Sequence, residues 1–317
     1  MDRAHFVWLG PRLPDLGWLA ARSAQARGGF GVVQLWGDAK ALAVDPAVHA
    51  LVARGLVLRD LAELDSRSAH DAVLSRLRGL CTSLPAPAAR TDVWRLRIVA
   101  AEGGVYMDCD AIVLRSFAPL LGLPAFVGLE HVCMPAALYA SRNPLRWAKA
   151  GGLLALRHAL TLQHGAGQRF ARVAGLYDLA CNNAVFGIQP GSTFAQQLCA
   201  AAAALPDDQA RTLYELGPRL FERATGNRTS DGCTVLPAEA FYPLGPEVCA
   251  DYVVADPDGR LGDTPHPQAY AAHLYDSVLR RRIGRPIDAG WLRGQGRATL
   301  LGRMVAGWAD ELGQVRG

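Results

Sequence analysis

The 317-residue chain is 50% apolar and 20% charged, a globular composition with enough length for one large domain or two small ones. Its formal net charge of +4 is too small to imply a nucleic-acid partner, although it suits an anionic substrate. Seven cysteines without a C-x-x-C pair indicate neither a disulfide framework nor a structural zinc site, so a reducing cytosol is the default.

No apolar run approaches the ~20 residues of a spanning helix, and Met1 to Trp8 lack the apolar stretch of a secretory signal. Only Lys40 and Lys149 are lysines; arginine, the better planar partner for phosphate, supplies the other cations.

Strand-like and helix-like segments alternate through the first half, which predicts an α/β domain with a largely parallel sheet. His5 to Leu9 reads as a strand, Leu16 to Arg27 as a helix stopped by Gly28-Gly29, and Gly31 to Trp36 as the next strand. Leu56 to Leu58 is a third strand candidate. A helix is predicted over Ser68 to Leu80, opening on a Ser-x-x-Asp capping pattern. Pro85-Ala86-Pro87 interrupts the chain before a helix over Ala88 to Glu102, with Gly103-Gly104 as its stop.

The next stretch, Val105-Tyr106-Met107-Asp108-Cys109-Asp110, carries the most chemistry. Read as one strand, it sends Tyr106, Asp108 and Asp110 to one face and Val105, Met107 and Cys109 to a buried one. Adjacent carboxylates repel unless a cation lies between them, and oxygen ligands of this kind suit Mg²⁺ or Mn²⁺ shared with substrate phosphates.

Further strands are predicted at Phe126 to Glu130, Val185 to Gln189 and Thr234 to Leu236. Between about 131 and 180 the chain reads as helical and loop material. Helices are predicted over Phe194 to Leu205 and Thr212 to Ala224. Arg297 to Leu312 is a last helix candidate, carrying Leu300, Leu301, Met304, Val305 and Trp308. Packing of that helix against the body is the preferred expectation, with contact at the membrane surface as the alternative.

Asp92 and Arg95 lie three apart on the helix before the glycine pair, completing D-x-x-R…G-G-x-Y-x-D-x-D. With this pattern the sequence resembles the DXD-motif sugar transferases. These include yeast initiating mannosyltransferases, α-1,4-galactosyltransferases and, more distantly, the large clostridial glucosylating toxins. His5 to Gly10, Asn182 to Phe186, Leu216 to Leu220, Val235 to Pro243 and Ala272 to Tyr275 resemble further segments of that family, in order.

The resemblance implies a GT-A fold: a Rossmann-like, mixed but mostly parallel sheet flanked by helices, here with a helical insertion. It implies that Trp8 stacks on the donor base, that Asp92 and Arg95 hold the ribose, diphosphate or sugar, and that Tyr106 lies near the nucleotide. Asp108 would bridge ribose and metal, Asp110 would ligate the metal, and His273 would be a further ligand or diphosphate contact. Asn183 is a substrate-binding candidate; Asp108, Asp110 and Arg95 are the catalytic ones. Tyr275-Asp276 stands where the family has a tryptophan after the closing histidine.

The layout expected is a single domain: a nucleotide-binding half over 1–125, an insertion over 131–180, an acceptor-side half over 181–290 and a helical tail over 291–317. The activity expected is that of a Mn²⁺- or Mg²⁺-dependent retaining hexosyl- or N-acetylhexosaminyltransferase. It would use a UDP-sugar and a glycan or lipid-linked saccharide, as in polysaccharide biosynthesis. The alternatives are a protein-modifying enzyme of effector or toxin type, a non-catalytic glycan-binding protein, and a haloacid-dehalogenase-like phosphotransferase. The expected location is cytoplasmic, peripheral at the inner membrane face if the C-terminal helix binds there.

Overall fold

A computed structural model describes residues 1–65, 71–139, 141–161, 165–230 and 232–317. Seven strands form the main sheet: β1 (Arg3–Val7), β2 (Val32–Gly37), β3 (Leu56–Asp60), β4 (Gly104–Met107), β6 (Ala125–Val132), β7 (Asp178–Ile188) and β8 (Thr234–Leu236). Their order is β3-β2-β1-β4-β7-β6-β8. Only β7 is reversed; the other six run the same way. Two short strands, β5 (Ala111–Val113) and β9 (Ala271–His273), pair antiparallel in a separate sheet. This is the mixed, mostly parallel sheet with flanking helices that the resemblance to GT-A enzymes implies.

Both faces of the sheet are buried, as a sheet covered by helices on each side requires. Alternate residues therefore feed two cores: Ala4, Phe6, Val33, Leu35, Val105 and Met107 one, and Val7, Trp36, Tyr106 and Phe186 the other. Helix α1 (Asp15–Arg27) covers the first core, and α2 (Ala72–Ser83) and α3 (Pro87–Glu102) the second. Tyr106 thus lies in a second core instead of facing solvent.

Two glycines fix the approach to the carboxylates. Gly103 ends α3 at φ 61°, and Gly104 opens β4 at φ 111°. A Cβ on Gly103 would lie 2.5 Å from Pro190 Cδ, and one on Gly104 2.6 Å from His5 Nε2. His5 is fully buried beneath them, its Nε2 meeting Gly103 O at 2.7 Å while Trp36 Nε1 donates to its Nδ1 at 3.2 Å.

Several boundaries differ from expectation for local reasons. Helix α2 is capped by Asp71, which accepts from the amides of Val73 and Leu74; Ser68 lies outside the described residues. The predicted helix over 212–224 is shortened to Pro218–Thr225. A turn with Tyr214 at φ 71° precedes it, and Pro218 is suited to a first helical position. The Val185–Gln189 strand extends back to Asp178, so Asn182 and Asn183 are strand residues.

The C-terminal helix is broken. Thr299 caps Leu300–Met304, and a second helix follows over Ala306–Arg316. Leu300, Leu301, Met304, Val305 and Leu312 are buried in the core, and Arg316 pairs with Asp15 (2.9 Å) and Asp45 (2.7 Å). The face that would have met a membrane surface is spent on packing, which corrects that alternative. Among the described residues no helix is long and apolar enough to cross a membrane.

The segment 131–180 contains a long helix, α4 (Pro144–Thr161), and a shorter one, α5 (Ala166–Val173). No cysteine is paired; six are buried, and Cys109 donates its S–H to Val7 O.

Candidate active site

The carboxylate pair does not lie within a strand. Strand β4 ends at Met107, and Asp108-Cys109-Asp110 form the turn that leads into β5. The Asp108 amide donates to Ala184 O (2.8 Å), and Asp108 O accepts from Ala111 N (3.0 Å), which closes the turn. Both carboxylates still face one place, because β9 pairs with β5 and brings in His273 beside them. The turn sits at the carboxyl end of a parallel strand, where open α/β sheets place their ligands.

His273 Nε2 lies 3.1 Å from Asp110 Oδ1 and 4.0 Å from Asp108 Oδ2. One ligand atom from each of these three residues falls within 4.8 Å of the others. Two carboxylate oxygens and an imidazole nitrogen form a donor set that suits Mn²⁺ and accommodates Mg²⁺. The Asp108 and Asp110 side chains keep 25% and 20% exposure, enough to admit a ligand.

Arg95 anchors the other side of Asp108. Its Nη2 lies 3.1 Å from Asp108 Oδ1 and 3.3 Å from Asp92 Oδ1, and its Nη1 donates to Asn183 O at 2.6 Å. The guanidinium also stacks 4.5 Å from the centroid of the Tyr106 ring, while Tyr106 OH donates to Asp108 Oδ1 at 2.8 Å. Asn183 Nδ2 donates to Asp92 Oδ1 at 2.8 Å. A Cβ on Gly217 would come within 2.9 Å of Asp92 Oδ2, so backbone closes over that carboxylate.

The charges are mutually dependent. Burial raises the pKa of Asp92 and of Asp108, against the pull of Arg95. Burial would also raise Asp110, but His273 and the Asp276 amide outweigh it and lower its pKa. His273 is raised in turn: burial opposes this, and Asp110 prevails. Arg95 stays charged, since its two carboxylates more than offset its burial.

The structure therefore brings together Asp92, Arg95, Tyr106, Asp108, Asp110, Asn183 and His273. Trp8 lies on the loop after β1, next to Val7, whose carbonyl accepts from Cys109; its indole N–H donates to Arg12 O at 2.8 Å. Cys109 points away from its neighbours, as expected.

Sequence reasoning missed a layer behind the ligands. Glu130, on β6, accepts from Tyr275 OH at 2.8 Å, and Asn182 bonds to it as well. Tyr242 OH donates to Asn182 O and accepts from Val185 N, each at 3.1 Å. A lone acid in the otherwise apolar Phe126 to Glu130 run was the available signal.

Residues 34–126 match the family described as the glycosyltransferase sugar-binding region containing the DXD motif. That span includes Asp92, Arg95, Tyr106, Asp108 and Asp110, the DXD group that the sequence resembles. No curated protein is similar enough in sequence to match. Among solved structures, the PaToxG glycosyltransferase superposes with a TM-score of 0.46 at 12% identity, covering 71% of this chain and 67% of its own. The UDP-bound glycosyltransferase domain of the YGT toxin gives 0.40 at 11% identity, covering 71% and 76%.

Proposed function

We propose that the chain is a metal-dependent, retaining glycosyltransferase that takes a sugar from a UDP-sugar and passes it to a glycan or lipid-linked saccharide. The observation that carries this reading is the convergence of Asp108, Asp110 and His273 beside a buried arginine. Those three residues would hold Mn²⁺ or Mg²⁺, which when bound neutralises charge on a departing diphosphate.

The chain's own groups do the rest. Arg95 is held rigid by Asp92, Asp108 and Asn183 O, so its charge needs no reorganisation as negative charge grows on the leaving group. Asp92 and Asn183 line the place where a donor sugar or ribose would bind. Tyr106 supports the arginine from within the core that α3 covers, and Trp8 is the candidate for stacking on the base. Residues 1–125 form the nucleotide half in this reading, 131–180 an insertion, 181–290 the acceptor half and 291–317 a packed tail. Insertions over a rigid sheet commonly set specificity, so 131–180 is assigned to acceptor choice.

Incubation with UDP-glucose or UDP-N-acetylglucosamine and Mn²⁺ tests this. Slow donor hydrolysis that needs the cation and falls at least about a hundredfold in Asp110→Asn is expected, and NMR of a transfer product should show a retained anomeric configuration. Donor binding without turnover would instead support a glycan-binding protein, and an inverted product would refute retention. A protein acceptor, if one were modified in place of glycans, would move the acceptor assignment and leave the donor chemistry standing.

A further inference from the structure

Tyr275 occupies an unusual place. It has left-handed backbone angles, φ 54° and ψ 53°, without being glycine. For a bulky residue this conformation is strained and persists only where surrounding contacts enforce it. It lies between β9 and helix α6 (Asp276–Ile283), and the residues on either side of it touch the carboxylate corner. The Leu274 amide donates to Asp110 O at 2.9 Å, and the Asp276 amide to Asp110 Oδ2 at 2.9 Å. His273, two residues before, meets Asp110 Oδ1. The left-handed residue is the bend that lets one short segment grip Asp110 at three points.

Metal-ligating histidines commonly hand their second ring nitrogen to a carboxylate or carbonyl, which fixes the ring. Here the buried Nδ1 of His273 meets no hydrogen-bond partner among the described residues. The ring is held by packing: Tyr275 stands edge-on to it at 4.3 Å between centroids, and Tyr242 edge-on at 5.8 Å. Tyr275 is in turn tied to the sheet by its hydroxyl, which donates to Glu130 Oε2 at 2.8 Å across 145 residues of chain.

We infer that the Tyr275–Glu130 hydrogen bond is a latch that sets the cation-holding geometry of Asp110 and His273, and that Glu130 is a positioning residue. The inference rests on the metal site of the proposed function. It assigns Glu130 neither to the cation nor to the reacting sugar. Instead the latch clamps the left-handed turn onto the main sheet, so the two amides and the imidazole arrive together at Asp110.

Three substitutions separate the latch from a direct role. Tyr275→Phe keeps the ring and removes the hydroxyl; Glu130→Ala removes the acceptor; Glu130→Gln keeps an acceptor oxygen and removes the charge. Mn²⁺ uptake in the presence of UDP, followed by the loss of the free-ion EPR signal, should weaken on the order of tenfold in Tyr275→Phe and in Glu130→Ala. The double variant should be no weaker than either single one, and Glu130→Gln should remain close to wild type. If Glu130→Gln is as weak as Glu130→Ala while Tyr275→Phe binds normally, Glu130 acts through its charge and the latch is wrong.

A second measurement needs no metal. Amide hydrogen exchange at Leu274 and Asp276 should accelerate in metal-free Tyr275→Phe, at an unchanged melting temperature for the rest of the fold. Unchanged exchange there overturns the latch. If wild-type protein takes up no Mn²⁺ with UDP, the proposed function fails, and this exchange result still decides the latch.

Discussion

Arg95, Asp92, Asp108, Asp110 and His273 occupy a corner where each charge meets an opposite one within the chain. The segment 131–180 is built the other way. It holds Arg142, Arg146, Lys149, Arg157, Arg169 and Arg172 against a single acid, Asp178, so its own net charge of +5 exceeds the +4 of the whole chain. Lys149 and Arg157 are tied back to Asp178 and Glu247. The outward side of α4 mixes exposed Arg146, Lys149 and His158 with apolar residues, Leu145 being 76%, Trp147 42% and Leu154 41% exposed. One region is complete in itself; the other presents a surface of the kind that marks interaction sites. In the proposed function the fixed charges serve the donor and the open face serves the acceptor.

Emptying the corner of its cation should break this contrast most severely. Arg95→Met leaves Asp92 and Asp108 without their partner in a buried setting, a loss of about 3–5 kcal/mol. Chemical denaturation should show it, together with loss of donor hydrolysis. Arg95→Lys should not restore activity, because an ammonium cannot serve Asp108, Asp92 and Asn183 O together. Wild-type stability in Arg95→Met would mean that the corner is not self-contained.

Acid should loosen the glycine pair that leads into that corner. Burial lowers His5 from 6.5 to about 4, so between those values the unfolded chain binds a proton that the folded chain refuses. Stability from this residue is complete above pH 6.5 and declines as pH falls towards 4, by about 3 kcal/mol in all. Urea unfolding of wild type and His5→Gln at pH 7, 5.5 and 4 should converge as pH falls. Parallel curves would show that the glycine pair is not supported by a neutral imidazole.

The smallest effect is expected on the insertion. Trp147→Ala and Leu145→Ser should stay within about 0.5 kcal/mol of wild-type stability, since neither side chain is in the core. Donor hydrolysis should be unchanged and transfer to a productive acceptor should drop several-fold. Equal loss of both activities would join the insertion to the donor site and dissolve the distinction.

The corner was more legible in the sequence than its support. Asp92, Arg95, Gly103, Gly104, Asp108 and Asp110 lie within nineteen consecutive residues, and short-range periodicity and glycine punctuation suffice to find them. The turn at Asp108 to Asp110 was read as strand because a period of two and a tight turn bring the same carboxylates together. The pairing of Glu130 with Tyr275 is not legible in the sequence because it arises from a contact 145 residues apart. The helix break at Thr299 depends on packing: a Cβ at Gly302 would lie 2.0 Å from Gly296 O, a crowding that no local pattern reveals.

The buried thiols have a practical use. Burial pushes Cys81 and Cys181 up to about 11, and Cys133, Cys199, Cys233 and Cys249 to about 12; Cys109 is raised as well. At neutral pH all seven are protonated and sluggish towards maleimides. A single cysteine introduced at Leu145 would then be the fast-reacting one, and a fluorophore attached there could report on acceptor arrival without first stripping the native sulfurs from the chain.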